Sequence, residues 1–152
     1  FGERRLYQFR QIARSALLLQ DVQLHLEEID QYGCTALQME PELDEIVQTG
    51  RHFGVDLVYT TRRLAEVSRT LTSQTDEFVC FEFHEPRDTQ ALAARIGGDL
   101  AERVKTLPDY HAIIWSPDAV RYWDGKEETE LPAAPIAKSE ASTLPITKPS
   151  ES

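Results

Sequence analysis

The sequence predicts an α/β fold with a largely parallel sheet covered by helices. Short strand-like runs alternate with helix-patterned segments in the order βαβαβααββ after an opening helix. The first of these strands, Val22–Leu26, ends in two adjacent carboxylates, Glu27 and Glu28. Open α/β sheets gather ligands just outside the carboxyl ends of their strands. The chain has 152 residues, of which 41% are hydrophobic, enough for one modest core.

Each element has its own warrant. Residues 3–19 place Leu6, Phe9, Ile12, Ala13, Ala16 and Leu17 at spacings of three and four, the stripe of an amphipathic helix. Val22, Leu24 and Leu26 alternate with polar residues, as in a short strand. A polar turn follows through Gln31–Gly33. Pro41 starts a second helix, because proline suits the first turn and Glu42 and Asp44 favour the positive helix end. That helix should stop near Gly54, a natural C-terminal cap. Val55–Tyr59 reads as a buried strand, 62–69 as a loop with a short helix, and Glu77–Phe83 as a strand rich in β-formers. Pro86–Ile96 is helical, stopped by Gly97 and Gly98, and Leu100–Leu107 is a further short helix. Tyr110–Trp115 and Val120–Trp123 read as a hairpin at the sheet edge, turned by Ser116-Pro117-Asp118. From 126 to 152 four prolines, many small residues and no aromatics predict a disordered tail or linker, leaving 1–125 as the folded unit.

Composition excludes several classes. A net charge of −10 makes the chain by itself a poor non-specific binder of nucleic acid. Cys34 and Cys80 are too few for a disulfide scaffold and read as reduced, structural residues. No stretch reaches the ~18 apolar residues of a membrane span, and no signal-peptide pattern is present, so a cytoplasmic setting is expected. The chain opens at Phe1 directly in helix-like sequence, as expected for a piece of a longer protein.

The chemistry-bearing candidates cluster after the first two strands. Glu27 can support a hydrated Mg²⁺ and Glu28 can act as general base on a water, the division of labour of a Walker B element. The bland alternative is a solvated strand end. Thr60, Thr61, Arg62 and Arg63 follow the second strand, where hydroxyls can bind a γ-phosphate or the attacking water and a guanidinium can answer phosphate charge. A capping threonine with solvent-facing arginines is the simpler reading. Arg51, near the second helix end, complements the helix dipole or serves as an arginine finger reaching a neighbouring subunit. The four histidines show no metal-ligand spacing with the cysteines. The Phe78, Phe81, Phe83, Trp115 and Trp123 aromatics read as sheet packing. Nowhere is there a Gly-x-x-x-x-Gly-Lys-[Ser/Thr] loop to cradle phosphates.

Three segments together resemble one family. Leu24-His-Leu-Glu-Glu-Ile-Asp-Gln-Tyr32, Gly50-Arg-His-Phe-Gly-Val-Asp-Leu-Val-Tyr-Thr-Thr-Arg-Arg63 and Glu66-Val-Ser-Arg-Thr-Leu-Thr-Ser-Gln-Thr-Asp76 look like the HerA/FtsK branch of P-loop ATPases, which includes DNA translocases and viral packaging ATPases. The likeness spans roughly residues 20–115. It implies a RecA-like fold, incomplete at its N-terminus because the family's P-loop precedes the first strand seen here. It also implies hexameric rings that hydrolyse ATP with Mg²⁺ at subunit interfaces and move DNA. By position, Glu27 matches the Mg²⁺-supporting acid, Glu28 the catalytic base, Thr60 and Arg62 the family's Thr and Arg, and Thr61 its phosphate-sensing Gln, with Arg51 a trans-acting candidate. The chain departs from the family at Glu27 (for Asp), Thr61 (for Gln) and Arg63 (for Pro).

The resemblance therefore implies part of an ATP-hydrolysing DNA motor, supplying Walker B and sensor elements, with the chain alone expected to be inactive. The competing reading is a non-catalytic assembly or adaptor domain derived from such an ATPase, toward which the three departures point. A direct DNA-binding module, resting only on Arg62, Arg63 and Arg69, is the weakest reading.

Overall fold

A computed structural model of the protein describes residues 2–131. Helix α1, Gly2–Leu19, leads through a two-residue reversal into strand β1, Val22–Leu26. A 3₁₀ turn over Ile29–Tyr32 and a loop precede helix α2, Pro41–Thr49, and a second 3₁₀ turn leads to strand β2, Val55–Tyr59. Helix α3, Arg69–Ser73, connects to strand β3, Phe78–Cys80. Helices α4, Pro86–Ile96, and α5, Gly98–Val104, follow, and strands β4, Ala112–Trp115, β5, Val120–Trp123, and β6, Glu128–Glu130, complete the fold.

The strands form two sheets, not the single, mostly parallel sheet that the element order predicts. β1 and β2 pair in parallel, with Val22 opposite Val55 and Leu26 opposite Tyr59. The order β3-β4-β5-β6 makes a four-stranded antiparallel sheet. The difference follows from the connections. The crossover through α2 returns β2 in parallel, the short turns after β4 and β5 force antiparallel neighbours, and the longer connection through α4 and α5 also brings β4 back antiparallel to β3. β3 is shorter than its run of β-formers. Its partner β4 begins only at Ala112, after Tyr110 (φ +63°), so the residues beyond Phe81 have nothing to pair with. β6 extends the sheet past Gly125, inside the segment read as a tail, because Arg121, Tyr122 and Trp123 offer a free edge to Glu128–Glu130. The rest of that predicted tail, 132–152, and Phe1 lie outside the described residues.

Each sheet has its own core. Phe9, Ala13 and Ala16 of α1 pack with Leu26, Leu43, Ile46 and Val55 on one face of β1–β2. The opposite face carries Gln23, His25, Asp56 and Val58, all exposed, so β2 is half-buried rather than buried. The second core joins Phe78, Cys80 and Ile113 to Leu92, Ile96, Ala101 and Val104 of α4 and α5. The buried Asp88 and the partly exposed Arg95 clamp the two halves together. Asp88 of α4 accepts the Ala65 N–H at 2.7 Å and faces Arg63 Nε at 3.3 Å. Arg95 donates to the Arg69 carbonyl and the Thr72 hydroxyl of α3. Cys34 and Cys80 are both buried and unbonded, and burial pushes the Cys80 thiol up to about 12. No helix among the described residues is long and apolar enough to cross a membrane.

Candidate functional site

The parallel pair puts its two strand ends side by side, and hydrogen bonds continue beyond the last paired residues. Thr60 N–H donates to the Leu26 carbonyl at 3.0 Å, and Ile29 N–H donates to the Thr60 carbonyl at 2.9 Å. The Thr60 hydroxyl accepts the Glu28 N–H at 3.0 Å. Three bonds thus fix the turn that carries the carboxylates to the end of β2. Glu28 sits there at φ +52° and ψ +71°, a left-handed conformation that costs a non-glycine residue about 1 kcal/mol or more. Such backbone strain is retained where surrounding contacts over-determine it, and functional sites are enriched in it.

The side chains follow from that backbone. Glu28 takes Arg62 on one carboxylate oxygen, at 2.7 Å, and the Gln31 amide on the other. Arg62 is 82% exposed at its side chain and Glu28 34%, so this ion pair opens to water and holds orientation more than stability. Glu27 is exposed and makes no ion pair among the described residues. Thr61 accepts the Arg63 N–H on its own hydroxyl at 3.1 Å, closing the turn into the next segment.

Glu27, Glu28, Thr60, Thr61 and Arg62 line one open concavity of about 880 Å³. Outside this concavity lie the candidate Arg63 and, at the opposite end of β2, Arg51. Arg51 belongs to the turn before β2 and binds Asp76 at 2.7 Å. That places it at the far end of a five-residue strand, about 16 Å of chain from Thr60. Arg63, the other candidate cation, is turned onto Asp88 and Glu66 and acts as a tie between the halves.

The concavity also holds residues that the sequence reading passed over. Arg5, Gln8 and Ile12 of α1 line it, with Phe9 and Tyr32 behind, whose rings stand 5.3 Å apart. Gln31, three residues beyond Glu28, carried a local signal, since that spacing brings side chains together on a helical turn. Arg5 carried none, because only the reversal at Gln20 and Asp21 brings it back over the strand end.

The guanidiniums and hydroxyls of this donor set can answer an anion, whereas no group of three or more His, Cys, Asp or Glu that could by itself enclose a metal ion occurs among the described residues. A free carboxylate, a second carboxylate held by hydrogen bonds, two guanidiniums and two hydroxyls converge from three elements. The run of backbone N–H groups that would enclose a whole triphosphate is not among the lining residues.

No family model matches the chain, and no curated protein does. Solved structures do. The genome packaging NTPase B204 from Sulfolobus turreted icosahedral virus 2, in complex with ATP-gammaS, aligns with a TM-score of 0.67 and 23% identity over 75% of this chain and 59% of that one. The same NTPase in complex with AMPPCP gives a TM-score of 0.66 at 23% identity, over 75% and 62% of the two chains. The DNA-packaging ATPase B204 from Sulfolobus turreted icosahedral virus gives 0.61 and 23% identity, over 69% and 52%. The chain spans about three fifths of the length of the first two and about half of the third. Its described residues thus have the mixed α/β fold of viral genome-packaging NTPases.

Proposed function

We propose that this chain is part of an ATP-hydrolysing motor of the HerA/FtsK type, acting on DNA, in which it supplies the Walker B and sensor elements. The observation that carries the reading is the convergence of Glu27, Glu28, Thr60, Thr61 and Arg62 in one concavity at the carboxyl ends of two parallel strands. That is where an open α/β sheet binds ligands, and the likeness to packaging NTPases in complex with ATP analogues supports a nucleotide there.

In this reading Glu27 would hold Mg²⁺, which when bound would supply neutralisation of phosphate charge. Glu28 accepts the proton of the attacking water. Its bonds to Arg62 and Gln31 aim the carboxylate while leaving lone pairs free, since an ionised carboxylate has about four acceptor sites. Thr60 positions Glu28 through the backbone, so its part is indirect, and Thr61 and Arg62, which line the concavity, would bind the terminal phosphate. Arg51, outside this concavity and exposed, would meet a nucleotide only across an interface with another subunit, as in a hexameric ring.

One observation favours a second reading, the non-catalytic assembly domain. Both oxygens of Glu28 are already engaged within the chain, as in a purely structural carboxylate. ATP turnover by the gene's complete product separates the two. The motor reading expects Glu28→Gln to cut turnover at least a hundredfold while nucleotide binding persists. Equal turnover in the wild type and the variant, or none in either, assigns the chain to assembly.

A further inference from the structure

We propose that Arg5 is a second phosphate-binding guanidinium of the concavity, acting beside Arg62 on an oligophosphate chelated by a divalent cation. The inference rests on the nucleotide reading of this site and deepens it, by adding a binding residue that the motif segments do not contain.

The placement begins with the connection between α1 and β1. Gln20 and Asp21 both adopt left-handed conformations, with φ +57° and +47°, and reverse the chain within two residues. Helix and strand therefore run in opposite directions, and the first turns of α1 lie beside the carboxyl end of β1. The face of α1 at Phe9, Ala13 and Ala16 is buried against the sheet. The flank beside it presents Arg5, Gln8 and Ile12, at spacings of three and four, to the same concavity as Glu27, Glu28 and Arg62. Arg5 is thus held by a helix packed on the core, a firmer mount than a loop provides.

The pairing of charges narrows the ligand. Arg10 and Arg14, farther along α1, are committed to Glu40 and Glu42 of the α2 start. In the concavity Arg62 is matched by Glu28. Arg5 and Glu27 make no ion pair among the described residues, although they line the same space. A ligand carrying both a cation and an anion satisfies both: the cation on the Glu27 side and phosphate oxygens on Arg5, which a guanidinium can bind through two parallel N–H groups. A neutral or purely apolar ligand leaves both charges unanswered and desolvated.

Magnesium tripolyphosphate tests this without base or ribose. The 152-residue chain is titrated calorimetrically as wild type, Arg5→Gln, Arg62→Gln, Glu27→Ala and Arg4→Gln, the last being a neighbour on α1 outside the concavity lining. Arg5 is exposed and makes no contact that the fold needs, so thermal melting of Arg5→Gln should match wild type. We expect Arg5→Gln to weaken binding about tenfold, as Arg62→Gln does, and Arg4→Gln less than twofold. Binding by Arg5→Gln within twofold of wild type, with Arg62→Gln still impaired, overturns the role of Arg5 and leaves the nucleotide reading intact. Equal losses in Arg4→Gln and Arg5→Gln reduce the effect to bulk charge and likewise overturn it. No binding by wild type, or binding indifferent to both Arg62→Gln and Glu27→Ala, overturns the inference together with the reading beneath it.

Discussion

The two halves of the molecule solve the problem of the sheet edge differently. The antiparallel half stacks four strands whose inner face is filled by α4 and α5, and it finishes with a short strand of Glu-Thr-Glu that blunts the edge with charge. The parallel half has only two strands, one covered face, and an exposed face of Gln23, His25, Asp56 and Val58. Parallel sheets are normally covered on both faces. Both halves carry a packed core, and the less-finished half also carries the strained Glu28 and the concavity. The candidate site lies where the architecture leaves strand ends and charges accessible, and Asp88 and Arg95 tie the two halves together.

If that division holds, core truncations should be felt across both halves. Leu43 and Leu92 are fully buried, one in each core. Leu43→Ala and Leu92→Ala should each cost about 2–5 kcal/mol. Both tryptophans, Trp115 and Trp123, lie in the antiparallel half. Urea unfolding of Leu43→Ala followed by tryptophan fluorescence should therefore shift as far as unfolding followed by far-ultraviolet dichroism. A fluorescence midpoint that stays at the wild-type value would break the comparison into two independent units.

A smaller effect sharpens it at the join. Asp88 is 3% exposed and accepts the Ala65 N–H while facing Arg63. Asp88→Ala should cost about 1–3 kcal/mol, because the Ala65 N–H loses its partner in a partly buried setting. Its signature is a loosening of the two halves. Native-state hydrogen exchange should speed up in residues 63–73 more than in β4 and β5. Uniform acceleration in all segments would mean that Asp88 is simply another core residue.

The smallest expected effect lies in the parallel half and depends on pH. Burial pushes the Glu42 carboxyl up, but its own backbone N–H at the helix start, with Arg14 and Arg10, outweighs this and holds it below the usual 4.5. A group depressed on folding stabilises fully above its unfolded value and loses that contribution as pH falls through its folded value. Stability should therefore decline below about pH 4.5, and Glu42→Gln should flatten that part of the profile. An unchanged acid limb in the variant would show that the α1–α2 ion pairs do not hold the parallel half together.

How much of this was legible in the sequence depended on whether the signal was local. β1 and β2 were readable to the residue, because Val22, Leu24 and Leu26 alternate and Gly54, at φ +65°, caps the turn ahead of Val55. Pro41 and Pro86 marked helix starts for the same reason. Sheet partition was not legible, because a strand does not encode its neighbour. Phe81 and Phe83 look like β-formers but lack a partner, and Glu128–Glu130 look like linker but find one in β5. In the site, Glu27, Glu28, Thr60, Thr61 and Arg62 were legible as ends of two strands. Arg51 was drawn in by motif position, and the fold puts it at the opposite end of β2. Arg5 was silent, because it joins them only through the reversal at Gln20 and Asp21, beyond the far end of α1.

The central claim is that nucleotide meets the parallel half, at the carboxyl ends of β1 and β2. The most direct measurement is a titration of the isotopically labelled chain with Mg²⁺ and ATP-gammaS, followed by backbone amide resonances. The account predicts that shifts concentrate at Glu27, Glu28, Ile29, Thr60, Thr61 and Arg62, vanish without Mg²⁺, and spare β4 to β6. Shifts confined to the antiparallel half, or no shifts at millimolar nucleotide, would contradict it.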